Sequence, residues 1–327
     1  MGQLMVSYNI YKNVLYRCFF IHDNMETGIL YEYVKAANPE ISEIQIIEYD
    51  STLYSSGETR IITLNNSSEL NTSYVSSSPN MLVSFIRINK YDKINIQSTA
   101  TSNAFYVING GGVIITDEYT EEWSEGDVFV LPYTPNIKMT GSIDSVLYWF
   151  NDEPLVNYMK TIPISPLFSP TIYKSENIKK EVMATLESGD IKSKNRTGVL
   201  LTNKVTDYIK NGGDGSLTLT PTLWCLLNIL PAQTIQKPHR HNSIAFDLCT
   251  YSPDASKVYT LIGETLDNNG NIVNPQKCYW KTGCVFITPP GLWHSHHNET
   301  SENAWVLPVQ DAGIYTYQRT LDIRFSR

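Results

Sequence analysis

Five of the six histidines lie between positions 239 and 297, in two short groups. In His239-Arg240-His241 the imidazoles are two positions apart, and His294 and His296 repeat this spacing. Residues i and i+2 of a β-strand project from the same face, so each pair would send both rings into one barrel interior. Neutral imidazole is the commonest ligand of borderline divalent metals. The spacing therefore predicts a metal site shared by two strands.

Two interpretations of this cluster compete. A single histidine in a β-rich protein is usually a surface residue or a hydrogen-bonded core residue. The same-face spacing occurs twice, however, and this favours metal binding. His297 should point away from the interior by alternation, and it is left out of the predicted site.

Short strands must position these histidines. Apolar and β-branched segments separated by Gly, Asn, Asp and Ser form two sets. The first set is MLVSFIRI, INIQST, NAFYVI, GGVIIT, DVFVLP and SVLYWF, and the second is LWCLLNIL, IAFDLCT, KVYTLIG, CVFITP, AWVLPVQ and IYTYQRTLDI. Short strands with close turns indicate a sandwich or barrel, so the sequence predicts an all-β fold in two strand-rich halves.

Two helices are predicted beside these strands. Residues 23–37 carry apolar residues at helical spacing and end before Pro39. Residues 175–188 place their apolar residues on one face, begin at Ser175, which can cap a helix, and are followed by a glycine. Four prolines in residues 154–172 indicate a connector between the halves.

The composition excludes several classes of function. The chain has 327 residues, of which 42% are hydrophobic and 18% charged, so it can bury a large core in one or two domains. Its net charge of −8 argues against a nucleic-acid partner, because phosphate contacts need clustered Lys and Arg. No apolar run approaches the ~20 residues of a membrane helix. The first residues, MGQLMVSYNIYKN, lack the features of a signal peptide.

The cysteines indicate the redox compartment. Five cysteines are an odd number, and none of them forms a C-x-x-C pair. This argues against a disulfide framework and against a Cys-rich zinc site. Free thiols in a reducing compartment, together with the missing signal peptide, predict a cytoplasmic protein.

A longer motif surrounds the second histidine pair. G-x5-P occurs at residues 126–132 and again at 283–289, and the second copy continues through Gly291 and His294 to Asn298. This pattern resembles the second conserved motif of the cupin superfamily, and the H-x-H of residues 239–241 resembles the first motif.

One missing residue restricts the resemblance to a smaller group within the cupin superfamily. The Glu that usually follows H-x-H is absent, because Ala245 and Phe246 stand at the candidate positions. PHRHNSIAF, TPPGLWHSHHNE and the upstream TLWCLLNILPAQTIQKPHRH make residues 222–299 similar to the gentisate 1,2-dioxygenase group. That group includes the salicylate and 1-hydroxy-2-naphthoate dioxygenases.

The resemblance implies a bicupin, with two double-stranded β-helix barrels and a few peripheral helices. It implies that His239, His241 and His294 bind Fe(II) and leave positions open for O2 and a chelating small-molecule substrate. It also implies a homo-oligomer. His296 matches a histidine that moves a proton near the substrate in that group, although an ordinary hydrogen-bonded barrel histidine is the alternative.

The gentisate 1,2-dioxygenase group carries its metal in the first barrel, whereas the intact metal-binding motifs of this chain lie in its second half. In the first half, Ile137 and Gly141 stand where the second motif would have its His and Asn, and STATSNAFYVINGGG contains no H-x-H. We therefore expect a degenerate, metal-free barrel and its N-terminal segment in residues 1–165. Residues 166–327 would then hold a linker helix and the metal-binding barrel.

A second departure concerns the substrate. The group places an Arg shortly after H-x-H to pair with the substrate carboxylate, whereas Asp247 stands there in this chain. Alternation from His241 puts Ser243 and Asp247 on the inward face. An inward carboxylate would repel an aromatic acid, so gentisate is not the expected substrate, and an amine or hydroxyl fits better. Alternatively, Asp247 pairs with a nearby arginine, for example Arg240 or Arg319, and is structural.

Further residues complete the predicted pocket. Trp293 and Trp305 could line an aromatic wall, although large apolar residues on strands are more often core. Gln310 or Asp311 could take over polar contacts. Insertions at SPDAS and LDNNGNIVNP, the latter with a hairpin signal at NNG, could lengthen one wall.

Three function classes follow. The first is an Fe(II) dioxygenase acting on a small cyclic or aromatic substrate that chelates the metal. The second is a non-oxidative isomerase, lyase or hydrolase using Mn, Ni or Zn, since three histidines do not distinguish these metals. The third is a non-catalytic small-molecule-binding cupin. None of the three requires a nucleic acid or a membrane.

Overall fold

β-Strands make up most of the ordered elements in the computed structural model, which describes residues 29–30, 32–37, 39, 41–188, 196–207 and 212–326. The contacts divide the chain after Ile41, and the unit from Ser42 onward carries all four sheets. The helix predicted at residues 23–37 lies largely outside the described residues, and only one helical turn, α1 (Tyr33–Ala36), is seen there.

The strands of the described residues are numbered in chain order. Those of the first half are β1 (Glu48–Tyr49), β2 (Arg60–Thr63), β3 (Leu82–Ile88), β4 (Lys93–Gln97), β5 (Ser102–Asn109), β6 (Gly111–Ile115), β7 (Thr120–Ser124), β8 (Val128–Pro132), β9 (Asn136–Gly141), β10 (Ser145–Asn151) and β11 (Thr171–Tyr173). Those of the second half are β12 (Thr197–Leu200), β13 (Trp224–Leu230), β14 (Thr234–His241), β15 (Ala245–Tyr251), β16 (Val258–Gly263), β17 (Gln276–Tyr279), β18 (Val285–Thr288), β19 (Trp293–Asn298), β20 (Ala304–Gln310) and β21 (Ile323–Phe325).

The first barrel is formed by two facing sheets. One has the order β11-β8-β5-β10-β3-β2 and the other the order β4-β9-β6-β7. Alternating residues of both sheets fill the space between them with apolar side chains, among them Phe105, Phe129 and Ile137. Ile137, at the position of the motif histidine, is fully buried in this core.

The second barrel repeats the arrangement. Its sheets have the orders β1-β18-β15-β20-β13-β12 and β17-β16-β19-β14-β21. One end of its interior is apolar, with Cys249, Trp280 and Phe286 in the core cluster. The other end holds the histidines. β1, from the segment before the first barrel, pairs with β18 of the second barrel. The division of the chain at residue 165 stays a prediction.

The six-stranded sheets of the two barrels pack against each other. Their outward residues form the largest core cluster, in which Phe85 and Tyr148 of the first barrel join Phe246 and Val285 of the second. The two G-x5-P motifs form matching turns, because Gly126 and Gly283 have φ angles of +80° and +84°, which glycine adopts without strain.

Helices lie at the periphery. They are α2 (Glu153–Met159), α3 (Ser175–Glu187), α4 (Ala312–Gln318) and a 3-10 turn (Ser51–Leu53). The predicted helix at 175–188 is confirmed, but the carboxylate of Asp127, not the Ser175 side chain, accepts from the first N–H, at 2.8 Å. The predicted strand IYTYQRTLDI is wrong, because its first part is α4 and only β21 follows it. The all-β prediction is confirmed.

Candidate metal centre

Two neighbouring strands carry the predicted histidines. β14 contributes His239 and His241, β19 contributes His294 and His296, and all four are buried. The centroid of the His294 ring lies 3.8 Å from that of His239 and 4.9 Å from that of His241. One ring nitrogen from each of these three lies within 4.8 Å of the other two. The three buried histidines could therefore bind one metal ion.

A backbone carbonyl holds Nδ1 of each of the three rings. His239 Nδ1 lies 3.1 Å from the carbonyl oxygen of His294. His241 Nδ1 lies 2.8 Å from that of Ser243, and His294 Nδ1 lies 3.1 Å from that of Leu292. Because a carbonyl only accepts, each Nδ1 carries the proton and each Nε2 keeps its lone pair for a metal.

Burial keeps these imidazoles neutral. Desolvation, and then the charge of Arg196, lowers the pKa of His239 well below its usual value. Desolvation also lowers the pKa of His241 to about 4 and that of His294 well below the usual value. Neutral imidazole is the form that binds metal ions, so the rings need lose no proton on metal binding.

The donor set fits a divalent transition metal. Imidazole nitrogens bind zinc at about 2.0–2.1 Å, so the ligand nitrogens of a tetrahedral zinc lie about 3.4 Å apart, and these three, which lie within 4.8 Å of one another, would close in on the ion. Three neutral nitrogens leave further coordination positions open. They do not select iron over manganese, nickel or zinc.

A cavity of about 240 Å³ opens onto the histidines. Asp247 and Gln310, both predicted for the site, line it. Asp247 faces inward as alternation on β15 predicted, whereas its neighbours Phe246 and Leu248 belong to the core between the barrels. The other lining residues are Arg196, Leu200, Trp224, Leu226, Pro308, Ile323 and Phe325.

Arg196, immediately before β12, is the charged residue that the sequence analysis missed. Its Nη2 lies 2.9 Å from His239 Nδ1 and 3.3 Å from His296 Nε2, and it also contacts His239 Nε2. Desolvation lowers its pKa to about 10, so it remains a cation at neutral pH. A metal ion on His239 would compete with this guanidinium for the same nitrogen, so metal binding requires Arg196 to move.

Asp247 faces the same cavity. Thr288 Oγ1 donates to its Oδ2 at 2.6 Å. Desolvation raises its pKa to about 6, and the Thr288 bond and the charge of Arg196 oppose that rise. Neither Arg240 nor Arg319 has its guanidinium within 4.0 Å of Asp247, so the predicted pairing with these two is not formed, and whether Asp247 is a structural residue stays a prediction. Arg196 itself has no carboxylate within that distance among the described residues.

Gln310 acts on the metal site through a neighbour. Ser243 donates its hydroxyl hydrogen to Gln310 Oε1 at 2.7 Å. The carbonyl of the same serine holds His241 Nδ1. Gln310 therefore positions the residue that orients one of the three rings.

A hydrogen-bond chain fixes the proton of His296. Trp280 Nε1 donates to Thr260 Oγ1 at 2.8 Å, and Thr260 Oγ1 lies 2.7 Å from His296 Nδ1. An indole N–H only donates, so the threonine oxygen accepts it with one lone pair, and its second lone pair can accept from an Nδ1–H of His296. Burial lowers the pKa of His296 well below its usual value. Arg196 Nη2 lies 3.3 Å from the other ring nitrogen, Nε2, and because a guanidinium only donates, Nε2 accepts and the neutral ring carries its proton on Nδ1.

The two predicted tryptophans lie elsewhere. Trp305 shares a face of β20 with Leu307 and packs against the core between the barrels. Trp293 precedes an inward histidine, so alternation turns it outward, where Arg240 lies 5.0 Å from its ring. Neither lines the cavity, and their predicted roles in substrate binding stay predictions.

The sequence contains only weak signals for the cavity residues that were not predicted from it. Arg196 is 43 positions from His239, and no spacing rule links them before the barrel closes. Ile323 and Phe325 alternate with Arg324, which is a strand pattern. The strand predicted from the sequence ends at Ile323, whereas the observed strand β21 begins there. The predicted hairpin turn at NNG is confirmed, because Leu266 and Ile272 form an antiparallel bridge around it.

Comparison with solved structures connects this geometry to known proteins. Salicylate 1,2-dioxygenase from Pseudaminobacter salicylatoxidans matches with a TM-score of 0.68 at 15% identity, over 92% of this chain and 94% of that one. A structure of salicylate 1,2-dioxygenase adducts with gentisate matches with a TM-score of 0.66 at 13% identity, over 89% and 87%. The chain has a bicupin fold. A cupin 2 conserved barrel domain protein from Leptotrichia buccalis matches with a TM-score of 0.50 at 14% identity, over 83% and 98%.

The predicted cupin architecture is thereby confirmed. The sequence itself matches no family model and no curated protein. Among the described residues, none of the helices combines the length and the apolar composition needed to cross a bilayer. The cytoplasmic location and the homo-oligomeric state stay predictions.

Proposed function

We propose that the protein is a metal-dependent dioxygenase, with Fe(II) as the expected metal, that acts on a small cyclic or aromatic compound. One observation carries this proposal: three buried, neutral histidines meet at one cavity in a bicupin whose fold matches a salicylate dioxygenase. Bound to them, Fe(II) would supply open coordination positions for O2 and for chelating oxygens of the substrate.

One acceptor and one donor beside the metal-site histidines suit a substrate hydroxyl that ionises. Arg196 donates to His296 Nε2 at 3.3 Å. A substrate oxygen between the two groups would give its proton to Nε2 and, as an anion, accept from the guanidinium in a water-poor cavity. His296 is the proposed catalytic residue, which takes a proton from the substrate on Nε2 and gives it back.

The charges of the cavity favour a substrate other than gentisate. The resemblance to the gentisate dioxygenase group implies an Arg shortly after H-x-H, whereas here Asp247 stands on β15 and the positive charge of Arg196 comes from the residue before β12. A compound with an amine or hydroxyl at Asp247 and an anionic oxygen at Arg196 satisfies both groups. Gln310 contributes by positioning His241.

The size of the cavity limits the substrate. Its volume of about 240 Å³ lies below the usual range of roughly 300–1,000 Å³ for small-molecule pockets. A single ring with two or three polar substituents is therefore the proposed substrate class.

Metal analysis combined with oxygen uptake tests the proposal. Protein purified without oxygen should contain iron and should consume O2 on addition of 2-aminophenol or catechol, faster than with gentisate. The His294→Ala variant, which lacks one ligand, is the control. Stoichiometric zinc, nickel or manganese with turnover under argon would instead identify a non-oxidative enzyme. Tight ligand binding without turnover would identify a binding protein.

A further inference from the structure

β21 lies beside the strand that carries two of the three metal-site histidines. The antiparallel register places Phe325 opposite His239 and Ile323 opposite His241. Directly opposed residues of an antiparallel pair project from the same face of the sheet. Ile323 and Phe325 therefore share the inner face with the histidines, whereas Arg324 between them faces outward.

These two apolar side chains are unusually exposed for residues of a cavity wall. Ile323 is 40% exposed and Phe325 is 54% exposed, although both line the cavity. The Phe325 ring lies 6.0 Å from the His239 ring, and the two planes are inclined by 21°. The flat face of an aromatic ring thus borders the space above the metal site.

Hydrogen bonds at both ends hold this wall in place. Asn242 Nδ2 donates to the carbonyl of Thr320 at 2.8 Å, and the N–H of Asp322 donates to Asn242 Oδ1 at 2.9 Å. Beyond the strand, the N–H of Ser326 donates to the carbonyl of Pro238 at 2.8 Å. The backbone on both sides of Phe325 is therefore held in place before any ligand enters, which reduces the entropy cost of binding.

We infer that Phe325, supported by Ile323, is the specificity-determining residue that selects a planar, unsaturated ring in this cavity. The inference rests on the proposed function and adds the residue that recognises the ring. A planar ring can lie parallel or edge-on to Phe325 at the distances that aromatic pairs prefer, and a puckered saturated ring cannot. An aromatic pair contributes about 0.5–1.5 kcal/mol beyond its buried area, which corresponds to a 2- to 12-fold change in Kd.

Calorimetric titration of benzoate and cyclohexanecarboxylate tests this selection. The two probes have the same charge and similar size and differ in ring planarity. The full chain is loaded with zinc under argon, so that no turnover consumes the probe. Phe325→Leu should weaken benzoate binding about 2- to 12-fold and cyclohexanecarboxylate binding less than twofold, whereas Phe325→Tyr should retain the preference.

Arg324→Gln is the matched control, because Arg324 lies on the same strand and faces outward beside Asp322. It should leave both dissociation constants unchanged. Equal weakening of both probes by Phe325→Leu, no preference for benzoate in the unaltered chain, or no binding of either probe would overturn the inference. The titration involves no oxygen, so a protein that consumes no O2 could still show the ring preference, and the two proposals fail separately.

Discussion

Replacing Thr260 by valine should destabilise the protein and change the protonation of His296. Thr260 is fully buried between Trp280 and His296, both of which are also buried. Valine has nearly the same shape but no hydroxyl, so the indole N–H and the imidazole Nδ1 both lose their partner. Each buried polar group left unpaired costs about 1–3 kcal/mol, so the free energy of unfolding should fall by about 2–6 kcal/mol.

Thr260→Ser provides the matched control for this prediction. Serine keeps the hydroxyl and loses one methyl group, which costs about 1 kcal/mol. Urea denaturation followed by fluorescence gives both values from the midpoints, provided that the slopes agree. ¹⁵N NMR should show the Nδ1–H tautomer of His296 in the unaltered chain and a mixture in the valine variant. A valine variant no less stable than the serine variant would refute the proposed hydrogen-bond chain, as would an unprotonated Nδ1 in the unaltered protein.

Three further predictions concern the ligands, the competing cation and a buried carboxyl group. His294→Ala should lower metal affinity more than about 100-fold while circular dichroism shows an intact fold, since even residues beyond the ligands contribute 10- to 100-fold; full metal occupancy would contradict the ligand assignment. Arg196→Met should tighten zinc binding in calorimetry, because no guanidinium then competes for His239, and unchanged or weaker binding would count against that competition. Desolvation raises the pKa of Asp311 to about 6, above its unfolded value of 3.8. Between about pH 4 and pH 6 the folded state therefore keeps a proton that the unfolded state releases, so the free energy of unfolding declines as pH rises through this range. Asp311→Asn should remove roughly 2–3 kcal/mol of that decline, and an unaltered pH profile in urea denaturation would exclude a role for this carboxyl group.

Local sequence patterns predicted most of the architecture. Alternation of apolar residues identified the strands, and positive-φ glycines marked equivalent turns in the two halves. The same alternation, continued from the H-x-H pair, correctly predicts that Asp247 faces the interior. These predictions succeeded because side-chain direction along a strand depends only on a period of two residues.

Features that depend on how distant strands meet could not be predicted. Arg196 reaches His239 only because β12 joins the edge of a sheet opposite β14, and the sequence between them contains no indication of that pairing. The segment at 314–323 was predicted to be one strand because aromatic and β-branched residues favour strands. Its first part instead completes α4, and a short strand follows it. Local propensity was overridden there by tertiary packing.

The same barrel fold holds an apolar core in the first half of the chain and the histidine site in the second half. β9 and β19 are the second strands after the equivalent turns at Gly126 and Gly283, and the inward positions of β9 hold Ile137 and Met139 where those of β19 hold His294 and His296. In the first barrel these side chains are fully buried among apolar neighbours. In the second barrel, buried imidazoles border a cavity, which costs desolvation and lost packing. The apolar first barrel and the core between the six-stranded sheets offset that cost, so loss of a metal ligand should leave the fold intact.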